Sequence, residues 1–202
     1  LWPSLSSFLT RESWLHELSG ISFEDARINN LHWPLLLTHF GISGPLAFMV
    51  SAEHACDEIG NGKALNLKLA PIASLWSKEW DIFLRQTFET SPKKTLSNVL
   101  SEKLPKRFSE AFVRYYFDQF KDTYVGSLSK KTREHLSNLL WDGFPITLIE
   151  RRPGDEFVTA GWVDTREIDP KTMESKLHKG LYFAGEVLNV DGYTWGFSLQ
   201  IC

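Results

Sequence analysis

The side chains best suited to holding a ligand lie near the end of the sequence. Leu181-Tyr182-Phe183-Ala184 is a short apolar run that reads as a buried strand, and Gly185-Glu186 follows it directly. A glycine at a strand end lets another backbone or a ligand come close. A carboxylate just past the carboxyl end of a strand stands where open α/β sheets place their ligands, and there Glu186 can accept hydrogen bonds from sugar-like hydroxyls. A glycine-punctuated loop with Gly192 and Thr194 comes next, and Trp195-Gly196-Phe197-Ser198-Leu199-Gln200 can begin a helix. The unpaired N–H groups of a helix start suit a phosphate or an electron-rich carbonyl oxygen. On spacing alone, the same residues also describe a strand, a turn and a helix that bind nothing.

A second constellation is Thr38-His39 with Gly41 and Ser43-Gly44-Pro45. Ser43 is expected to cap a helix running from Pro45 through Phe48 and Met49. That N-terminus could present amides to an anion, and His39 could exchange a proton near neutral pH. The competing reading is a structural turn with a hydrogen-bonded histidine, since His39 has no paired partner in sequence. His32, His54, His135 and His178 lack metal-ligand spacing, and no Gly-x-Ser-x-Gly elbow occurs. Lys103, Lys106, Arg107 and Arg114 lie among aromatics and could mark a nucleic-acid face. The acidic balance of the chain favours a solvated helix surface instead. Arg151-Arg152-Pro153-Gly154 reads as a turn.

The elements that must position these residues follow from periodicity. Thr10 could cap a short helix carrying Trp14, Leu15 and Leu18. Ile21–Ile28 alternates imperfectly and reads as a strand, and Pro34–Thr38 as a buried one. Asn61-Gly62 reads as a hairpin-type turn before Ala64–Leu69, a clean period-two strand. Residues 72–141 read as helices. Trp76, Trp80, Phe83, Leu84 and Phe88 share a helical face, which Ser91-Pro92 ends, and Thr95 to Leu104 is a short second helix. Pro105 opens a helix bearing Phe108, Phe112, Tyr115, Tyr116 and Phe120; Ser129 caps the last one, which Asp142-Gly143 closes. The aromatic stripes are read as core. Strands return at Ile146–Ile149, Glu156–Val163 and Leu181–Ala184. Strands, then helices, then strands argue for an α+β fold with a helical subdomain inserted between β segments.

Composition sets bounds around this picture. The 202 residues are 43% hydrophobic and 23% charged, enough for a real core in one large domain or two small ones. A net charge of -3 gives no general attraction to nucleic acid or an anionic membrane, and no apolar run reaches membrane-spanning length. Cys56 and Cys202 form no disulfide framework, which fits a reducing, cytoplasmic setting. Leu1-Trp2-Pro3-Ser4 has no initiator Met, and the expectation is a piece of a longer protein.

Gly180 to Gln200 resembles the C-terminal signature of the HI0933-like flavoproteins, FAD-dependent oxidoreductases of the two-dinucleotide-binding-domain type. Other segments agree in order. Thr38 to Pro45 resembles the family's Thr-His-x-Gly-x-Ser-Gly-Pro, and Leu104-Pro105-Lys106-Arg107 its Leu-Pro-Lys-Arg. Val158-Thr159-Ala160-Gly161 and Lys171-Thr172-Met173-Glu174-Ser175-Lys176 resemble the run into the final strand.

The resemblance implies a map. Residues 1–20 end a first FAD-domain segment. Residues 21–155 are an insert, β-rich over 21–70 and 142–155 and helical over 71–141, that covers the flavin and shapes a pocket for a small-molecule substrate. Residues 156–202 return to the FAD domain as the closing strands and helix start of an incomplete α/β unit. Gly185 and Glu186 are implied to meet the ribityl and pyrophosphate region of FAD, and Gly192, Thr194, Trp195, Gly196 and Phe197 the flavin ring. The family's Gly-x-Gly-x-x-Gly element does not occur in these residues, so an N-terminal FAD-binding segment is the implied partner and the chain is expected to be inactive alone.

Five positions depart from the pattern. Trp195 and Trp162 stand where the family favours glycine, Asn189 where Asp is usual, and Phe197-Ser198 in place of Tyr-Asn. Each indole either obstructs the flavin, which would leave a non-catalytic scaffold, or points away from it or stacks where a substrate lies.

Overall fold

The structure is a computed structural model that describes residues 21–38, 41–55, 57–59, 62–151 and 161–190. Among these, five strands form one antiparallel sheet in the order β3-β2-β1-β4-β5, and five α-helices accompany it. The α+β class expected from the sequence is the one observed. No described helix is long and apolar enough to cross a membrane.

Strands β1 (Ile21–Ile28) and β2 (Leu31–Thr38) form a hairpin. Its two-residue turn, Asn29-Asn30, has φ of 47° and 68°, the primed-turn geometry that matches strand twist. The imperfect alternation of β1 has a local cause. Phe23 pairs with Leu35 and Ala26 with Trp33, so Glu24 and Asp25 together face Pro34. Pro34 lacks an N–H and interrupts the ladder of an interior strand, and a β-bulge opposite it absorbs the mismatch. The extra residue also resets the phase, so Ile21, Phe23, Ala26 and Ile28 all stay buried.

β3 (Gly41–Ser43) adds to β2 and leads into α1 (Pro45–Glu53). The helix falls where the sequence placed it, but its cap does not. Ser43 is paired with Leu36 in the sheet, and Gly44, at φ 88°, is the N-cap, with no side-chain cap bond. β4 (Leu65–Ala70) keeps its period of two, with Leu67 and Leu69 buried and Asn66 and Lys68 exposed. Asn61-Gly62 does not join two paired strands: among the described residues β4 pairs only with β1 and with β5 (Phe144–Leu148). Gly62 does take a turn conformation, at φ 89°, and only Asn61 lies outside the described residues.

The chain leaves the sheet after β4 and returns at β5, its direct neighbour. Between them lie α2 (Ser77–Thr90), α3 (Leu96–Leu100), α4 (Lys106–Tyr116) and α5 (Lys130–Trp141). Local chemistry sets their ends. The Glu79 carboxylate accepts the Trp76 N–H at 2.7 Å, and Ser129 Oγ accepts the Thr132 N–H at 3.1 Å. Gly143 follows the last turn of α5 at φ 96°, the left-handed conformation common just past a helix end. Two single 3-10 turns, Asp118–Phe120 and Val125–Ser127, join α4 to α5.

The aromatic stripes are core. Phe108 meets Phe23 of β1 edge-on at 4.9 Å, and Phe108 and Phe112 lie 5.7 and 5.5 Å from Phe144 of β5. Trp80 and Leu84 are fully buried as well. Trp76 is 67% exposed because it is the cap of α2 and not part of its inward stripe. Arg27 of β1 donates to the Trp141 carbonyl at 2.6 Å, which ties the end of α5 to the sheet. The expected helix near Thr10 lies outside the described residues, as does most of the expected strand Glu156–Val163.

Candidate functional site

Gly185 and Glu186 begin a single 3-10 turn, Gly185–Val187. Gly185 is buried and has φ 81°, a conformation that side-chain-bearing residues enter only under strain. Its carbonyl accepts the Leu188 N–H at 3.0 Å, while the Glu186 side chain is exposed and engaged. A Cβ-free backbone beside an exposed carboxylate that accepts hydrogen bonds suits a hydroxyl-bearing ligand. Gly192, Thr194, Trp195, Gly196 and Phe197 lie outside the described residues.

Leu181–Ala184 is extended but is not the buried strand expected. Its one bridge pairs Tyr182 with Glu174, and Leu181 and Tyr182 are 43% and 60% exposed. A buried strand needs neighbours on both edges and cover on both faces, and the described residues supply one edge.

The segment that delivers this turn is knotted by its own polar groups, in residues that sequence reading treated only as a signature. Asp169 Oδ1 accepts the Lys171 N–H at 2.8 Å. Ser175 Oγ accepts from Leu177 and His178, each at 3.1 Å. Glu174 Oε1 accepts the Gly180 N–H at 2.7 Å. The Phe183 N–H reaches the Met173 carbonyl at 3.0 Å, and the Ser175 N–H the Leu181 carbonyl at 2.7 Å. Asx- and Ser-type turn chemistry was readable in Asp169-Pro170 and Ser175; the reach of Glu174 across six residues was not.

On the far side, the Val163 N–H donates to the Val187 carbonyl at 3.0 Å and the Asn189 N–H to the Val163 carbonyl at 2.9 Å, a parallel pairing. Asp164 anchors the next turn. It accepts from the Arg166 guanidinium and backbone N–H, and these bonds hold its carboxyl down at about 2. Trp162 sits beside this pairing at φ 75° and is 66% exposed. The indole therefore points away from the described residues, while its backbone adopts a glycine-like conformation.

The second constellation is a hairpin running into a helix. Thr38 Oγ1 donates to the Gly41 carbonyl at 3.1 Å across the β2–β3 turn, and His39 lies outside the described residues. Arg151 donates to the His54 and Ala55 carbonyls at the end of α1, a helix-capping role, while Arg152, Pro153 and Gly154 of the expected turn lie outside the described residues. Among the described residues no group of three or more His, Cys, Asp or Glu could hold a metal ion.

Comparison with known proteins places this arrangement in a family. A model of the HI0933-like protein barrel and H2TH domain matches residues 2–156, and the chain belongs to the HI0933-like family. Its helices α4 and α5, joined by two turns, agree with the second part of that description, while the described strands form an open antiparallel sheet. The chain is 32% identical to a ribosomal RNA dihydrouridine synthase of Haemophilus influenzae, over 98% of this chain and 48% of that protein. It is also 32% identical to the Escherichia coli protein of the same name, over 82% and 38% of the two chains. A 3-dehydro-bile acid delta(4,6)-reductase of Clostridium scindens is 27% identical, over 81% and 40%. The chain thus spans about half the length, or less, of the curated relatives it matches.

Proposed function

We propose that the intact protein is an FAD-dependent reductase that saturates a carbon–carbon double bond conjugated with a carbonyl, with a uracil base in RNA as substrate. One observation carries this reading. Relatives are named for substrates as unlike as a ribosomal RNA uridine and a 3-dehydro-bile acid. In both, an alkene is polarised by a carbonyl in conjugation and accepts hydride at its far carbon.

The chain's own residues bind and position. Gly185 would give the cofactor backbone-close approach, Glu186 would accept from its polyol hydroxyls, and Gly192, Thr194, Trp195, Gly196 and Phe197 would serve the flavin ring. When bound, the reduced flavin supplies the hydride. The insert, residues 21–155, covers the flavin and shapes the substrate pocket, and residues 156–202 belong to the FAD domain. The pyrophosphate cradle comes from the part of the relatives' length not matched here. Ribosomal RNA as substrate and a chain with two cysteines fit a cytoplasmic setting.

The test uses the full-length protein. It should purify with visible flavin absorbance, and after chemical reduction its flavin should be reoxidised by uridine-containing RNA in a single turnover, with dihydrouridine formed. Reoxidation by a steroid dienone and not by RNA would transfer the reading to small molecules. Turnover with neither would remove it. A second reading, a scaffold that has lost flavin, draws on Trp162 with its indole on a glycine-type backbone. Full flavin occupancy of the native protein would leave that reading without support.

A further inference from the structure

The overall charge of -3 conceals a local excess of the opposite sign. Residues 93–133 carry ten Lys and Arg against four Asp and Glu, a net of +6, so the rest of the chain carries -9. Asymmetry of this kind is a mark of a polyanion-binding face.

The fold brings together two of the loops that carry part of that charge. The loop before α3 and the loop between α4 and α5 are zipped together. Thr95 bridges Tyr124, the Val125 N–H donates to the Lys94 carbonyl at 2.8 Å, and the Gly126 N–H donates to the Pro92 carbonyl at 3.0 Å. The contact is so close that a Cβ on Gly126 would lie 2.6 Å from Pro92 Cβ. Val125 is buried at 1% exposure and acts as the anchor. Extended backbone then sends its neighbour Tyr124 outward, where the ring is 59% exposed. Lys93, Lys121, Lys130 and Lys131 are exposed on the same two loops and the start of α5. Lys93 and Lys131 have no ion-pair partner among the described residues. Lys121 meets Asp118 at 3.3 Å and Lys130 meets Glu134 at 3.6 Å, surface pairs that a phosphate can replace. Asp122 is the remaining carboxylate on these two loops; Glu102 and Glu110 pair with Lys94 and Lys106.

We infer that these zipped loops bind single-stranded RNA, with lysines on the phosphates and a base stacked on Tyr124. An exposed ring among flexible cations suits an unpaired strand, whose bases are free to stack, better than a duplex. The inference rests on the RNA reading proposed above and adds where the RNA is gripped.

The test is RNA binding by the full-length protein, measured by fluorescence anisotropy with a labelled uridine-rich strand over a range of salt. Lys93→Ala with Lys131→Ala should weaken binding about 10-fold and reduce the slope of log K against log salt by about 1.4, two phosphate contacts' worth. Lys93→Arg with Lys131→Arg should restore both. Tyr124→Ala should cost about 5- to 100-fold and Tyr124→Phe should recover it, since stacking needs the ring and not the hydroxyl. Native affinity and slope in the alanine variants, with unchanged thermal stability, would overturn the inference while leaving the substrate reading intact. Equal losses with heparin and an unaltered response to Tyr124→Ala would reduce the surface to nonspecific polyanion attraction and overturn it too. If the native protein retains no RNA at low salt, this inference and the RNA reading both fall.

Discussion

Trp162 shows how a single residue can carry a cost that its contacts do not reveal. Its φ of 75° lies where a side chain costs about 1–2 kcal/mol, and the exposed indole gains little from the described residues in return. Trp162→Gly relieves that strain, less about 0.5–1 kcal/mol for the freer unfolded chain. The full-length variant should melt up to about 2–4 °C higher by calorimetry. A lower melting temperature would mean that the indole is held by a contact worth more than the strain. Tyr116 poses a different problem. Its hydroxyl is buried without a hydrogen-bond partner among the described residues, and burial, with Tyr115 adding, pushes its ionisation well above the usual phenol range. The ring itself packs against Phe112 at 4.9 Å, tilted by 46°. Tyr116→Phe keeps this ring contact and removes the stranded polar group, so urea unfolding should show about 1 kcal/mol of added stability. A loss would reveal a partner for the hydroxyl.

Elements here are ended and docked by backbone chemistry that side-chain patterns only partly disclose. Gly143 has two reasons to be glycine. It turns at φ 96° past the end of α5, and a Cβ there would lie 3.0 Å from the Leu69 carbonyl carbon and 3.1 Å from Lys68 Cβ in β4. Gly143→Ala should therefore cost about 2–4 kcal/mol, from combined strain and overpacking, in a denaturant melt. Native stability would mean that β4 and β5 separate without penalty. The end of α5 is also held by Arg27, whose bond to the Trp141 carbonyl spans sheet and helical block. Arg27→Met keeps the bulk and removes the donor, with an expected loss of about 1.5–3 kcal/mol. Arg27→Lys should recover only part of it, because the shorter ammonium lacks the reach of the guanidinium.

The whole molecule is a sheet with one long excursion. β4 and β5 are neighbours although α2 to α5 lie between them in sequence, so the sheet closes only when the helices fold back on it through Phe108, Phe112 and Phe144. That dependence makes the core continuous from β1 through α4 to β5. The stretch 161–190 is built differently. Only Ile168 and Leu188 among its apolar residues are fully buried, and they stand outside the main cluster. Leu181, Tyr182, Val187 and Val190 stay exposed. An apolar face of this kind fits the proposal that it completes an FAD domain with chain outside these residues. The 202-residue chain mixed with FAD should accordingly give no saturating flavin spectrum, whereas the full-length protein should hold its flavin through gel filtration. Saturation by the short chain would show that the closing turn binds the cofactor without the pyrophosphate cradle.

Much of this was legible in the residues. Period two in Ala64–Leu69, the helical stripes of Trp80, Leu84, Phe108 and Phe112, the Ser129 cap and the Gly143 stop are local signals, fixed by side-chain spacing and backbone preference. The excursion of helices between β segments could likewise be read from the change in period. The bulge at Glu24-Asp25 could not, because it answers a proline on the opposite strand. Nor could the pairing of β4 with β5, the reach of Glu174 to Gly180, or the exposure of Trp76, Leu181 and Tyr182, since each depends on what another segment does. Sequence by itself determined the elements and the glycine–carboxylate turn, whose causes lie within a few neighbouring residues. Only the tertiary structure decided which strands are neighbours, which loops are zipped together beside Tyr124, and how far Trp162 is exposed, because those depend on contacts between residues far apart in the chain.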